Sequence, residues 1–186
     1  MNADNTTQLV LALLGFALVA GALGWTTAGR AIWPPISLVL LAAAAVVAAV
    51  ADDLADGRVA VTVLVTVTGL LAVVGGGPVT TRIFALVDSS EGAAAAPGDE
   101  SLDRAGGAGE VLRGGAWIGA LERLAVFVTV LAGWPEGLAV TLALKGLGRY
   151  PELRTETPGA AERFIIGTFT SVLWAVACAA AAITMT

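Results

Sequence analysis

Long stretches of this chain contain no charged residue, and they constrain its fold more than any other feature. These stretches are rich in alanine, leucine and valine. Hydrophobic residues make up 57% of the chain and charged residues 13%, about half the charged fraction of an average soluble domain. An α-helix crosses the hydrocarbon core of a bilayer, about 30 Å thick, with about 20 apolar residues. The sequence therefore predicts an all-α, polytopic membrane helical bundle.

The positions of turn residues and charges predict about six transmembrane helices. They cover approximately residues 8–26, 34–51, 59–74, 116–133, 135–147 and 161–183. The GGGP run at 75–78 predicts the end of the third helix, because glycine and proline interrupt helices, and a short interfacial helix over 79–87. The fourth and fifth helices are short, so five spans plus a short re-entrant hairpin is an alternative to six crossings.

Residues 88–115 differ in composition from the rest of the chain. They are rich in glycine, alanine, serine and acidic residues and have no periodic apolar face, which is typical of a flexible acidic linker. The linker would separate an N-terminal three-helix membrane half, 1–87, from a C-terminal three-helix membrane half, 116–186. A duplication that relates the two halves is a weaker hypothesis, suggested by the Trp-Pro pairs at 33–34 and 134–135.

A glutamate and a lysine lie at matching depths on either side of the turn at Gly133-Trp134. Glu122 precedes Trp134 by 12 residues, and Lys145 follows it by 11. At about 1.5 Å of rise per residue, both lie roughly 16 to 18 Å from the turn, near the middle of the hydrocarbon core. Charge at that depth is costly unless it is paired or hydrated, so this pair, with Arg123 beside it, is the best indication of a site.

The pair of Glu122 and Lys145 has two interpretations. As a buried ion pair, it would fix the register of the hairpin formed by the fourth and fifth helices. As part of a hydrated pocket, it would bind an anion, a proton or a lipid headgroup. The residues alone leave both interpretations open.

The basic residues predict how the helices cross the membrane. If the amino terminus lies outside, Arg30, Arg82, Arg149, Arg154 and Arg163 fall on or near the inner side. Basic loops stay on the cytoplasmic side, so six crossings would place both termini outside. Arginines at the inner surface also suit an anionic lipid as a partner.

The composition excludes several kinds of chemistry. The chain has no histidine, which excludes histidine-based metal sites and Ser-His or Cys-His nucleophiles. Its single cysteine, Cys178, can form no intramolecular disulfide. Basic residues form no stripe for nucleic acid. We therefore expect no metal, no cofactor and no nucleic-acid partner, and we favour a non-enzymatic role over an enzyme.

Three motifs in the second half resemble those of a bacterial integral-membrane family, a domain of unknown function. They are GGAWIGALERL at 114–124, ALKGLGRYPEL at 143–153 and AERFIIGTFTSVLWA at 161–175. The sequence departs from the family pattern at Gly146, where serine is expected, and at Arg163-Phe164, where an aromatic residue usually follows the acid directly. The resemblance implies the bacterial inner (cytoplasmic) membrane.

The resemblance implies no activity, but it supports treating five charged residues as one candidate ligand-binding or buried polar cluster. These are Glu122, Arg123, Lys145, Arg149 and Glu162. The first function hypothesis is an assembly or accessory component that associates with itself or with another membrane protein. The second is a small carrier or channel for an ion or small anion with a site at the membrane midplane. The third is a lipid-modifying enzyme that uses Glu122 or Glu162 as acid or base.

Overall fold

A computed structural model describes residues 3–51, 57–94, 108–150 and 159–185, and this part of the chain contains helices and turns but no strand. The six helices are α1 (Ala3–Leu23), α2 (Trp33–Val50), α3 (Arg58–Ala94), α4 (Ala108–Leu131), α5 (Pro135–Gly148) and α6 (Ala160–Thr184). The predicted all-α helical bundle is therefore confirmed.

Four of the helices are long and apolar enough to cross a membrane. The qualifying segments are Asp4–Leu23, Trp33–Val50, Arg58–Ser90 and Ala161–Thr184. Large apolar side chains on their outer faces, such as Phe16 and Phe169, are more than 60% exposed (66% and 63%), which suits surfaces that face lipid. In contrast, α5 has 14 residues and is about 21 Å long, shorter than the hydrocarbon core. Whether α4 and α5 cross fully or form a hairpin stays a prediction.

Helix α3 is the centre of the bundle and packs against α1, α2, α4 and α6. It runs parallel to α1, because Gly21 lies against Gly75 and Gly24 against Pro78. It runs antiparallel to α6, because Gly167 near the start of α6 lies against Phe84, near the end of α3. Helix α5 packs against α4 at the edge of the bundle.

The core lies where α1, α2, α3 and α6 meet. Leu14, Leu64 and Leu71 are fully or almost fully buried there, and alanines on α1, α2 and α6 allow the helix backbones to approach closely. The buried hydroxyl of Ser37 donates a hydrogen bond of 3.0 Å to the carbonyl oxygen of Ala17. This bond ties α2 to α1 and satisfies a polar group that has no water to bond.

The GGGP run at 75–78 does not end the third helix, so that prediction is wrong. Helix α3 is 37 residues long and continues through the run. The predicted interfacial helix over 79–87 is part of it. Pro78 has no N–H, which leaves the carbonyl of Val74 without its helical donor. The indole Nε1 of Trp25 donates a hydrogen bond of 3.0 Å to that carbonyl. Membrane helices tolerate proline when a neighbouring helix supplies the missing donor in this way.

The predicted acidic linker lies partly outside the described residues. Of the segment 88–115, residues 88–94 belong to α3 and residues 108–115 belong to α4. The division of the chain into two three-helix halves stays a prediction. The close packing of α3 against α6 joins helices from both proposed halves.

Candidate functional site

The turn between α4 and α5 determines which residues of the two helices face each other. Gly133 has a φ of 62°, a left-handed conformation that glycine adopts at little cost, and it closes the end of α4. Pro135 then begins α5, where its missing N–H is not needed. Gly137 lies against Thr129 and the ring of Trp134, and these contacts leave no space for a side chain. The two helices therefore form a close antiparallel hairpin.

The hairpin brings Lys145 and Glu122 together in an ion pair, as their spacing from the turn predicts. The Lys145 ammonium donates a hydrogen bond to Oε2 of Glu122. The side chains are 18% and 19% exposed, so the pair is partly desolvated. Attraction between opposite charges is stronger in such surroundings than in water, and each charge would be costly without the other. The pair therefore links the last turn of α5 to α4.

Arg123, next to Glu122 on α4, fixes α4 to α3. It is 5% exposed, and its Nε and Nη2 donate hydrogen bonds of 3.1 and 2.8 Å to the carbonyl oxygen of Val73. Its side chain lies directly over Gly76, where an added Cβ would come within 2.7 Å of Nε. The glycine thus provides the space in which an arginine can lie against the α3 backbone.

Two tryptophans contact the same part of α3, which we call the docking segment (Leu71–Pro78). The ring of Trp174 lies over Gly75, and its Nε1 donates a hydrogen bond of 3.2 Å to the carbonyl of Leu71. The ring of Trp25 lies over Gly77. Side chains from the α1–α2 connection, α4 and α6 therefore converge on one segment of α3. Neither tryptophan belongs to the sequence-predicted cluster; the consecutive glycines, which the sequence analysis interpreted as a helix end, are the feature that could have indicated a close approach.

A small polar cleft lies between α4, α5 and α6. Its polar lining consists of Glu122, Arg123, Thr141, Lys145 and Ser171. The cavity has a volume of about 10 Å³, which is room for one water molecule. In this conformation the cleft is far smaller than the pockets of about 300 to 1,000 Å³ that hold metabolites.

Some charges and hydroxyls of the polar cleft have partners within the described chain, and others do not. Two cations and one carboxylate line it, so its formal charge is +1. The hydroxyl of Thr141 donates a hydrogen bond of 2.8 Å to the carbonyl of Gly137 in its own helix. Ser171 is 7% exposed, and its hydroxyl has no hydrogen-bond partner in the described part of the chain. The cleft thus combines excess positive charge with an unused donor.

Of the five residues in the predicted cluster, Glu122, Arg123 and Lys145 line the polar cleft, whereas Arg149 and Glu162 do not. Arg149 is half-buried at the end of α5, one turn beyond Lys145, and Glu162 is exposed in the first turn of α6. A ligand-binding role for the five residues stays a prediction.

Arg163, outside the predicted cluster, connects the start of α6 to the end of α3. Its guanidinium forms an exposed ion pair with Asp88 and lies 5.8 Å from the centre of the Phe84 ring. These contacts place the start of α6 beside the last turns of α3. In the described ranges, no group of three or more Cys, Asp or Glu side chains could hold a metal ion.

Comparisons of the chain with protein-family models, curated proteins and solved structures found no match. The resemblance of the second half to a bacterial membrane-protein family therefore stays an expectation. The geometry of the hairpin and of the polar cleft supports the functional proposals.

Proposed function

We propose that this chain is a non-enzymatic integral membrane protein that acts as an assembly or accessory component through its α4–α5 hairpin. The position of α5 is the observation that carries the proposal. Within the described residues, α5 packs closely against α4, and it faces α6 across the polar cleft. Its outward side chains Val140, Leu144 and Leu147 are 53%, 65% and 69% exposed. An apolar surface of α5 is therefore available to a neighbouring helix.

The length and rigidity of α5 also support association with another protein. A helix of about 21 Å is shorter than the hydrocarbon core, and such a mismatch favours thinning of the bilayer or association with other helices. The ion pair between Glu122 and Lys145 fixes α5 on α4, and Arg123 fixes α4 on α3. The apolar face of α5 is thus held in one orientation, as an interface requires.

Photo-crosslinking from the exposed face of α5 tests this proposal. In a Cys178→Ala background, a thiol-reactive benzophenone would be attached at Leu144→Cys in native membranes. The matched control is Val46→Cys on the outer face of α2, because Val46 is 61% exposed and Leu144 is 65% exposed. We expect one crosslinked product of defined mass from Leu144→Cys alone, and peptide mass spectrometry would identify a second copy or another membrane protein. Identical products from both variants, or lipid adducts alone, would contradict the proposal.

A second candidate function is a small carrier or channel for an ion or small anion. The polar cleft favours it, because charged residues within membrane helices commonly line ion and substrate pathways. Lys145→Ala should then abolish anion flux in proteoliposomes while circular dichroism shows an unchanged helix content. If the wild-type protein shows no flux across a broad panel of ions and metabolites, this candidate is rejected.

We also propose a bacterial inner-membrane location with both termini outside. Trp25, which precedes Arg30, contacts Val74 and Gly77 at the centre of α3, and Arg163 pairs with Asp88 in the C-terminal part of α3, beyond Arg82. Arg82 and Arg163 thus lie toward the C-terminal end of α3, and arginines at one end of a bundle suit the cytoplasmic side. A C-terminal reporter enzyme that is active only outside the cytoplasmic membrane should be active in this fusion, and activity confined to a cytoplasmic reporter would contradict the topology.

A further inference from the structure

We infer that the polar cleft binds one small monovalent anion of the chemical class of chloride and bromide. The inference does not depend on the assembly role, since the cleft lies between helices of a single chain, and it names the anion class for the cleft that the carrier candidate also uses. It rests on the charge of the cleft, its unused donors and its size.

The charge of the cleft favours an anion over a cation. Glu122 forms an ion pair with Lys145, whereas the guanidinium of Arg123 donates its hydrogen bonds to the neutral carbonyl of Val73. The one carboxylate of the cleft, Glu122, is therefore shared between the two cations. An uncompensated charge is costly in a medium of low dielectric constant, and one bound monovalent anion would bring the formal charge of the site from +1 to zero.

The hydrogen-bonding groups of the cleft are mainly donors that lack acceptors. A guanidinium has five N–H donors, and in the described part of the chain Nη1 of Arg123 has no hydrogen-bond partner. The Lys145 ammonium uses one of its three donors on Glu122. The Ser171 hydroxyl, 7% exposed, likewise has no partner among the described residues. A small anion accepts hydrogen bonds from several directions and would satisfy these groups together.

The size and the apolar part of the lining restrict which anion fits. The volume of about 10 Å³ suits a particle of about the size of a water molecule, with a small movement of the Lys145 side chain for a larger halide. Val126, Leu142 and Val172 form the rest of the lining. An anion must lose water to enter such a site, so the weakly hydrated bromide should bind better than the strongly hydrated fluoride or sulfate.

Thermal unfolding in nanodiscs made only of zwitterionic lipid tests the inference. Sodium gluconate would be replaced stepwise by sodium bromide at constant ionic strength. A ligand that binds the folded state raises the unfolding midpoint in a saturable manner, whereas a general effect of weakly hydrated salts lowers it or changes it linearly. We expect a saturable rise for the wild-type protein. A flat, falling or linear response would overturn the inference.

Two hydroxyl deletions on α6 locate the site. Ser171→Ala removes the hydroxyl that lines the cleft and should weaken the apparent bromide affinity about tenfold, with an unchanged midpoint in gluconate because that hydroxyl has no partner among the described residues. Thr168→Ala is the matched control, since its buried hydroxyl also lacks a partner within the described chain but lies outside the cleft. Equal bromide affinity in the two variants would overturn the assignment. So would a rise that appears only when anionic lipid is added, because the site would then be one for a lipid headgroup.

Discussion

Trp25 donates a hydrogen bond of 3.0 Å to the carbonyl oxygen of Val74, the acceptor that Pro78 leaves without a helical donor. A side chain from the connection between α1 and α2 thus repairs the hydrogen bonding of α3 at its centre. Arg123 and Trp174 donate to the carbonyls of Val73 and Leu71 in the same segment. The side chains that pack against α3, the longest helix in the described chain, therefore also supply hydrogen bonds to its backbone at the glycine-proline run.

The indole donor of Trp25 can be tested by removing its N–H while keeping an aromatic ring. Trp25→Phe should lower the free energy of unfolding in detergent by about 1 to 2 kcal/mol, because the Val74 carbonyl loses its donor. Trp117→Phe serves as the control, since Trp117 is 75% exposed, and it should change stability by less than about 0.5 kcal/mol.

Pro78→Ala restores a backbone N–H at the position that normally bonds the Val74 carbonyl. The loss of stability caused by Trp25→Phe should therefore be smaller in a Pro78→Ala background than in the wild type. A double-mutant cycle on thermal or denaturant unfolding measures this difference. A coupling free energy of zero would mean that the indole bond does not replace the missing helical donor.

Space at Gly76 is required for Arg123 to lie against α3. Gly76→Ala should lower the free energy of unfolding by about 1 to 3 kcal/mol, since the new methyl group overlaps the arginine side chain. Gly146→Ala in α5 is the matched change, because no atom lies within 4 Å of its added Cβ. That control should be neutral or stabilising, as expected for alanine in place of glycine in a helix. Equal effects of the two substitutions would argue against the close contact of Arg123.

The ion pair between Glu122 and Lys145 should contribute more to stability than the exposed pair between Arg163 and Asp88. Glu122→Gln should lower the free energy of unfolding by about 1 to 3 kcal/mol, less than for a fully buried pair because both side chains retain about a fifth of their exposure (18% and 19%). Asp88→Asn, which disrupts the pair that is about half exposed, should lower it by less than about 1 kcal/mol.

Exchange of the two charges separates the ion pair from the other effects of these substitutions. Glu122→Lys combined with Lys145→Glu should recover part of the stability that either single substitution loses. Thermal unfolding of the single and double variants measures the recovery. A double variant no more stable than the single variants would indicate that the orientation of the pair beside Arg123 is also required.

The single cysteine reports on the packing of α6 in the core. Cys178 is completely buried, so a maleimide should not label it in the folded protein and should label it stoichiometrically after denaturation. Gly75→Leu should accelerate labelling, because the new side chain would displace the ring of Trp174. Trp174 lies on α6 one turn before Cys178. An unchanged labelling rate in a folded Gly75→Leu variant would show that the α3–α6 contact tolerates this displacement.

The sequence by itself determined the properties that depend on local pattern. Uncharged apolar runs specify membrane-length helices, because a bilayer requires both the length and the internal hydrogen bonding of a helix. The facing positions of Glu122 and Lys145 also follow from local geometry, since only a turn and the helical rise separate them. These expectations needed no knowledge of distant contacts.

Only the tertiary structure decided whether the glycine-proline run ends a helix. By local rules the GGGP run at 75–78 ends a helix, but the donors that stabilise α3 there come from residues 49 to 103 positions away in the chain. The cleft likewise depends on Ser171 of α6 approaching the hairpin, and no spacing within the hairpin indicates it. Helix breakers act through unsatisfied backbone groups, so their effect is decided by whichever side chains the packed bundle brings to those groups.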